Sequence, residues 1–380
     1  MTDRPVPLSI LDLAPIVSGG TAAHALRNSI DLARRAEAAG YHRHWVAEHH
    51  FTPGVASAAP AVMIGQVAAA TETIRVGAAA VQTGHRTPIS VVEEFGILAA
   101  LFPGRIDLGL GRSGQLRVEA LAEVDAGRVA TPVNGAAPRV VDGLLIPPPF
   151  PVAAVFASPR LRRLYDLLQQ PGAETPGYRD QVHEILGLLD GSLVTPGGDP
   201  VRAVPGEGAD VEVWIFGSGP GESARVAGER GLAFAASYHI TPASVLEAVD
   251  AYRSAFRPSA HRDAPHVAVS ADVVVADDEA TARELASPYG LWVRSIRRGE
   301  GAMAFPSPAE AAAHRWSAED RALVADRVDT QFVGTADAVV AGLRTLVAAT
   351  GADELVVTTI THDHADRVHS HELLARAWLA

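Results

Sequence analysis

The chain of 380 residues contains no cysteine, and its 32 Lys+Arg positions are all arginine. The first absence removes thiolate nucleophiles, disulfides, thiolate zinc sites and iron–sulfur clusters. The missing lysine removes Schiff-base chemistry with pyridoxal phosphate or a carbonyl substrate, and the lysine of a phosphate-binding P-loop. No apolar run reaches the roughly 18 residues of a membrane-spanning helix. The start, Met1-Thr2-Asp3-Arg4-Pro5, lacks the basic head and apolar stretch of a secretory signal, so the cytoplasm is the expected compartment. A net charge of −12 leaves no basic face for nucleic acid. The short basic runs Arg160-Leu161-Arg162-Arg163 and Arg297-Arg298 read as solvated helix faces. Chemistry is left to His, Asp, Glu, Ser, Tyr and Arg, or to a bound cofactor.

What is present is a short β-rich run followed by an amphipathic helix, many times over. Strands are predicted at Leu8–Leu13, His44–Ala47, Ile74–Val81, Ile106–Leu110, Val211–Phe216, Leu232–Ala236, Val267–Ala276 and Glu354–Thr359. Helices follow at Thr21–Ala39, Pro60–Thr71, from Pro88, at Glu222–Arg230, after Thr241-Pro242, at Ala336–Ala349 and at Ser370–Ala380. Near-continuous apolar strands suit a parallel sheet covered on both faces. Eight strands alternating with helices point to an α/β fold, a (β/α)8 TIM barrel forming a single domain over 1–380. A doubly wound open sheet is the alternative. Regularity fails over about 113–208, read as a long insertion after strand four that covers the site, and again over about 280–333 after strand seven.

In such barrels the catalytic groups stand at the C-terminal ends of the strands. Strand two ends in Glu48-His49-His50-Phe51, and strand three in Ala78-Ala79-Ala80-Val81 followed by His85-Arg86. Strand four ends in Gly109-Leu110-Gly111-Arg112-Ser113-Gly114, and strand five in Gly217-Ser218-Gly219-Pro220-Gly221-Glu222-Ser223. The last two ends together read as one anion site. Small residues admit a phosphate to backbone N–H groups, helix N-termini add partial positive charge, and Arg112 offers a planar fork of donors. Ser113, Ser218, Gly219 and Ser223 complete the set.

The 15 histidines raise a metal alternative. His362 and His364 are spaced to face one way, whereas neighbours His49 and His50 point apart. Strand one, however, ends in Leu11-Asp12-Leu13 rather than the His-x-His of metal-dependent barrel hydrolases, and a carbamylated lysine is excluded. No metal is expected. His42, His369 and His371 read as surface residues.

These stretches resemble the bacterial-luciferase-like, flavin-dependent oxidoreductases. Trp45-Val46-Ala47-Glu48-His49-His50 looks like that family's second-strand signature, and Ile74-Arg75-Val76-Gly77 like its third. Phe102-Pro103-Gly104-Arg105-Ile106-Asp107-Leu108-Gly109-Leu110-Gly111-Arg112 and Gly351-Ala352-Asp353-Glu354-Leu355 are similar to two more. The resemblance implies a monooxygenase acting on a small organic substrate with O2 through a C4a-hydroperoxide of reduced FMN, which a separate flavin reductase supplies. F420-dependent hydride transfer, or flavin binding without turnover, are the alternatives. It further implies that Arg112 and the Ser218–Ser223 loop hold the flavin phosphate. Ala79-Ala80 would back the ring, often through a non-prolyl cis peptide, and Gly111 would leave room for it where luciferase has cysteine. His49 is similar to the histidine luciferase uses to move a proton, with Glu48 to orient it. Family members often form homodimers.

Overall fold

The computed structural model describes residues 5–126, 137–151, 155 and 158–380; parts of the predicted first insertion therefore lie outside the described residues. Eight parallel strands form the barrel: β1 (Leu8–Asp12), β2 (Arg43–Val46), β3 (Arg75–Ala78), β4 (Ile106–Gly111), β5 (Val211–Gly217), β6 (Ala233–Ser237), β7 (Val267–Val275) and β8 (Glu354–Thr358). Each pairs in register with the next, and Leu8 opposite Leu355 closes β8 onto β1. The predicted closed barrel is the observed one.

Around it runs a matching ring of helices: α1 (Ala22–Ala39), α2 (Pro60–Ala70), α3 (Pro88–Leu101), α4 (Tyr178–Leu189), α5 (Glu222–Glu229), α6 (Val245–Ala255), α7 (Ala336–Thr350) and α8 (His364–Trp378). Each touches the next, and α8 returns to α1. α4 falls within the stretch read as insertion. It packs between α3 and α5 and is pinned by Tyr178, whose hydroxyl donates to the Leu110 carbonyl at 3.1 Å. The first insertion thus ends near residue 177. The second holds the helices Glu279–Ala286, Tyr289–Arg297, Pro308–Ala313 and Ala318–Val328, and the strand Phe332–Gly334 that pairs in parallel beside the end of β7.

Period-two alternation sorts the strand residues. Leu8, Ile10, Val76, Leu108, Ile215, Phe234, Val269 and Leu355 face outward and join the helices in one buried cluster. Residues of the other parity face inward, where Leu11, Trp45, Trp214, Ala235, Ala268 and Val356 form a second. A side chain at inward-facing Gly109 would place its Cβ 2.0 Å from the Ala78 carbonyl oxygen, so only glycine fits there.

Five expectations are corrected. Strand three stops at Ala78, and its continuation Val81–Gln82 pairs separately with Leu110 and Gly111. α8 begins at His364, capped by the Asp363 side chain at the Ala365 N–H, six residues ahead of prediction. That phase turns His371 inward, where Tyr41 Oη donates to its carbonyl at 2.9 Å; His42 and His369 are exposed as expected. Arg297 is not a solvated charge either: it is 5% exposed, bound to Asp326 and seated over Phe150. Finally, Thr241 caps no helix through its side chain; its hydroxyl donates to the Ser218 and Ser237 carbonyls.

The inward residues at the N-terminal ends of the strands are charged. Arg43 donates through Nη1 to Asp107 and Glu212, both at 2.8 Å, and through Nε to both oxygens of Glu354 at 3.1 Å. Arg75 Nε reaches Asp107 at 2.8 Å, and Trp45 Nε1 donates to Asp107 at 2.8 Å. This floor faces away from the strand ends that carry the predicted site. Removing one partner from a buried, fully engaged ion network strands the others' charges. Arg43→Ala is therefore expected to cost about 3–5 kcal/mol in urea unfolding.

Candidate active site

A cavity of about 760 Å³ opens at the C-terminal ends of the strands. Every predicted site residue, from Glu48 and His49 through Ala79, Ala80, Gly111, Arg112 and Ser113 to Ser218, Gly219 and Ser223, lines it. The volume lies within the roughly 300–1,000 Å³ of small-molecule sites.

At the ends of β4 and β5, two helices begin side by side. Arg112 stands at the N-cap of the Ser113–Asp125 helix, and Gly221 at that of α5. The loop between β5 and α5 is held by its carbonyl at Ser218, which accepts from Thr241 Oγ1 at 2.8 Å and Ser244 Oγ at 2.7 Å. Ser223 is buried in the first turn of α5. Arg112 is fully engaged: Nη1 and Nη2 form a fork onto Glu119 at 2.7 and 2.9 Å, and Nη1 also donates to Glu222 at 2.9 Å. This pairing was not legible in the residues, because Glu119 lies in the irregular stretch.

Gly109-Leu110-Gly111-Arg112-Ser113-Gly114 also has the G-x-G-x-x-G spacing of a dinucleotide turn between a strand and a helix. Its glycines serve other contacts. Gly109 faces the barrel interior, and Gly114 meets the backbone of Gly84, where a Cβ would lie 2.7 Å from Cα. Gln115 and Gln181 lock that contact, joined at 2.7 Å, with Gln181 donating to the Thr83 carbonyl at 2.8 Å.

On the adjoining wall the Ala79–Ala80 peptide is cis, as the resemblance implied. A Cβ at Gly111 would sit 3.2 Å from that of Ala80, so glycine keeps the space beside the bend open.

The strand-two end divides its labour differently from expectation. Glu48 does not orient His49. Its Oε1 accepts from His50 Nε2 at 2.9 Å and lies 3.4 Å from His85 Nε2, while Oε2 accepts from the Gln82 N–H at 3.0 Å. Burial pushes the Glu48 carboxyl up, but those bonds outweigh it and hold it at about 2. Glu48, His50 and His85 also place one ligand atom each within 4.8 Å of one another, a carboxylate–bis-imidazole cluster built into the wall. His362 and His364 do not converge: the first contacts the Ser18 carbonyl at 3.1 Å, the second Asp31 at 2.9 Å.

His49 has its backbone N–H on the Ser57 carbonyl at 2.9 Å, and its Nδ1 is buried without a partner. Its Nε2 has no hydrogen bond among the described residues. Burial and the neighbouring His50 lower its pKa to about 4, against a smaller pull from Glu48. The ring is neutral at physiological pH and offers the cavity an imidazole not yet committed to the protein.

Sequence reasoning missed Ser270, Asp272 and Arg327 on the opposite wall. Ser270 and Asp272 of β7 line the cavity, with Arg327 from the second insertion and His239 beyond β6. The signal was there: Ser270 and Asp272 are two polar residues at alternate positions of the otherwise apolar strand Val-Ala-Val-Ser-Ala-Asp-Val-Val-Val.

With this geometry in view, comparison with known proteins is direct. The model of the luciferase-like monooxygenase family matches residues 7–131 and 174–354. A luciferase-like monooxygenase of Escherichia coli (strain K12) is 34% identical over 373 residues, 98% of this chain and 97% of that protein. The crystal structure of apo-MsnO8 superposes with a TM-score of 0.74 at 30% identity, covering 99% of each chain. Two more distant structures share the fold. The FMN complex of the oxygenating constituent of 3,6-diketocamphane monooxygenase from Pseudomonas putida has a TM-score of 0.61 at 20% identity, covering 98% of each chain. An F420-dependent secondary alcohol dehydrogenase has a TM-score of 0.60 at 16% identity, covering 98% of this chain and 99% of that one. The chain is a member of the luciferase-like monooxygenase family, an oxidoreductase built on a TIM barrel.

Proposed function

We propose that the cavity binds reduced FMN and that the protein oxygenates a small organic substrate with O2. The observation that carries this reading is the convergence of Arg112 and two helix N-termini, around Ser113 and Ser223, on one end of a cavity whose side wall is the Ala79–Ala80 bend. A phosphate suits that end: backbone N–H groups and a guanidinium are the donors it needs. The open space beside Gly111 suits a flat ring. Reduced flavin, when bound, activates dioxygen for transfer of one oxygen atom to the substrate.

The protein's own groups have distinct tasks. The two insertions supply Phe150, Leu161, Tyr165, Trp292 and Ile296, an apolar cover that keeps water out. His49, neutral and unpartnered at Nε2, accepts or returns a proton at the substrate or the reacting oxygen. Glu48 works at one remove, fixing His50 and His85. A phosphate reaching Arg112 displaces Glu119, whose side chain is 56% exposed and has solvent to swing into. Reduced flavin arrives from a separate reductase.

Titration with reduced FMN and with F420 tests the reading: FMN binds, and F420 binds more weakly. Tighter F420 binding, with substrate-dependent F420 reduction, would replace oxygenation by hydride transfer. A charge-assisted hydrogen bond is worth on the order of 1.5–3 kcal/mol, so Arg112→Ala should weaken FMN binding about ten- to a hundredfold. Glu119→Gln, which removes a competitor for Arg112, should tighten it.

The state of His49 is checked without any ligand. Its folded pKa of about 4 lies below the ordinary histidine value of 6.5. The folded state therefore keeps the full benefit of neutral His49 above pH 6.5 and loses it as pH falls toward 4. In thermal melts across that window, His49→Gln should lose less stability than the wild type.

A further inference from the structure

The end of the cavity away from Arg112 carries polar groups that the flavin reading leaves unused. In the closed ring of strands, Arg112 and the Ser218 loop stand at β4 and β5, and β8 and β1 lie across from them. On that far side β7 and β8 present Ser270, Asp272 and Thr358, and the Ala318–Val328 helix adds Arg327.

The Arg327 side chain is only 10% exposed. Its Nε and Nη2 donate to the Tyr289 hydroxyl at 3.0 and 2.5 Å, and Nη2 lies 3.5 Å from Asp272 Oδ2. Nη1 has no acceptor among the described residues, although Arg327 forms part of the cavity wall. A guanidinium so far removed from water, with one donor group unspent, gains most from an acceptor delivered by a ligand.

His239 stands beside it. Its Nδ1 is 2.6 Å from Ser270 Oγ. Ser270 has a single hydroxyl proton, and its Oγ donates to the Ala236 carbonyl at 3.3 Å. A ring that donates from Nδ1 to Ser270 keeps its lone pair on Nε2. Burial, Arg327 and His49 lower the His239 pKa to about 3, in keeping with a neutral ring. Between the polar groups the same end is apolar, with Leu13, Trp292, Val356 and Ile360.

We infer that this end receives the head group of the substrate, and that the substrate is an organic anion: an apolar body bearing a carboxylate or a similarly placed anionic oxygen that accepts from Arg327 Nη1. His239 Nε2 accepts a hydrogen bond from an N–H or O–H near that head. The inference rests on the flavin reading only in that the flavin lies toward Arg112 and leaves this end free.

The test compares an acid with its neutral isostere. FMN-loaded protein is titrated calorimetrically with 4-phenylbutyrate and with 4-phenylbutyramide. The acid should bind at least about tenfold more tightly, the size of one charge-assisted bond. In Arg327→Gln the two should bind alike, with FMN affinity within about twofold of wild type. Equal binding, or no binding of either by the wild type, overturns the inference. So does an acid preference that survives Arg327→Gln, or a variant that loses FMN while keeping the preference. Should Arg327→Gln not fold, Asp272→Asn decides: freeing Arg327 of its carboxylate should tighten the acid and leave the amide unchanged, and an unaltered ratio refutes the assignment. Repeating the titration without FMN separates the two readings, because a protein that takes up no FMN yet prefers the acid loses its flavin role and keeps this subsite.

Discussion

The molecule depends on one constraint: in a closed ring of eight parallel strands, each side chain points either to the helices or to the axis. The outward set is apolar except for Asp12 and His44, which face Ser29 and Arg367, and it builds the layer that α1–α8 cover. The inward set changes character along the axis, from the ions around Arg43 at the floor, through Trp45 and Trp214, to small and polar residues at the mouth. Closing the floor with charges that satisfy one another, and the middle with large rings, leaves the cavity at the C-terminal ends. The site lies there because that is where the ring is left unfilled.

The mouth is electrostatically divided. At β4 and β5 an arginine is held by carboxylates, one of them largely exposed, so an incoming phosphate exchanges one anion for another. Across the cavity a second arginine is buried and tied to Asp272 and Tyr289, with a donor to spare. Between them His49 and His239 are kept neutral by burial. Two neutral imidazoles between two guanidiniums suit the proposed roles: anionic ends held at the arginines and proton transfer between them.

Much of this was legible in the residues. Strand positions followed from apolar runs of the right length, and the site residues from reading only strand ends, so every one of them reached the cavity wall. What was not legible depends on long-range packing. α4 looked like insertion because proline-rich sequence surrounds it, and only contact with α3 and α5 shows it to be part of the ring. His371 and Arg297 looked exposed because a histidine or arginine in a helix carries no mark of which way the helix is turned. Glu48 sits next to His49 in sequence, yet its carboxylate is bound to His50 and lies beside His85. A G-x-G-x-x-G spacing is present, but its glycines answer to barrel contacts rather than to a dinucleotide. Arg327 and Asp272 meet only because a helix of the second insertion folds back over β7.

The central claim is that this mouth orients a flavin, with its phosphate at β4 and β5 and its ring between the Ala79–Ala80 bend and His49. A crystal structure of the protein with FMN bound measures this most directly. The account requires the phosphorus beside the Arg112 guanidinium and the start of α5, with His49 Nε2 turned toward the ring. Phosphate electron density at the Arg327 end, or outside the cavity, would contradict it.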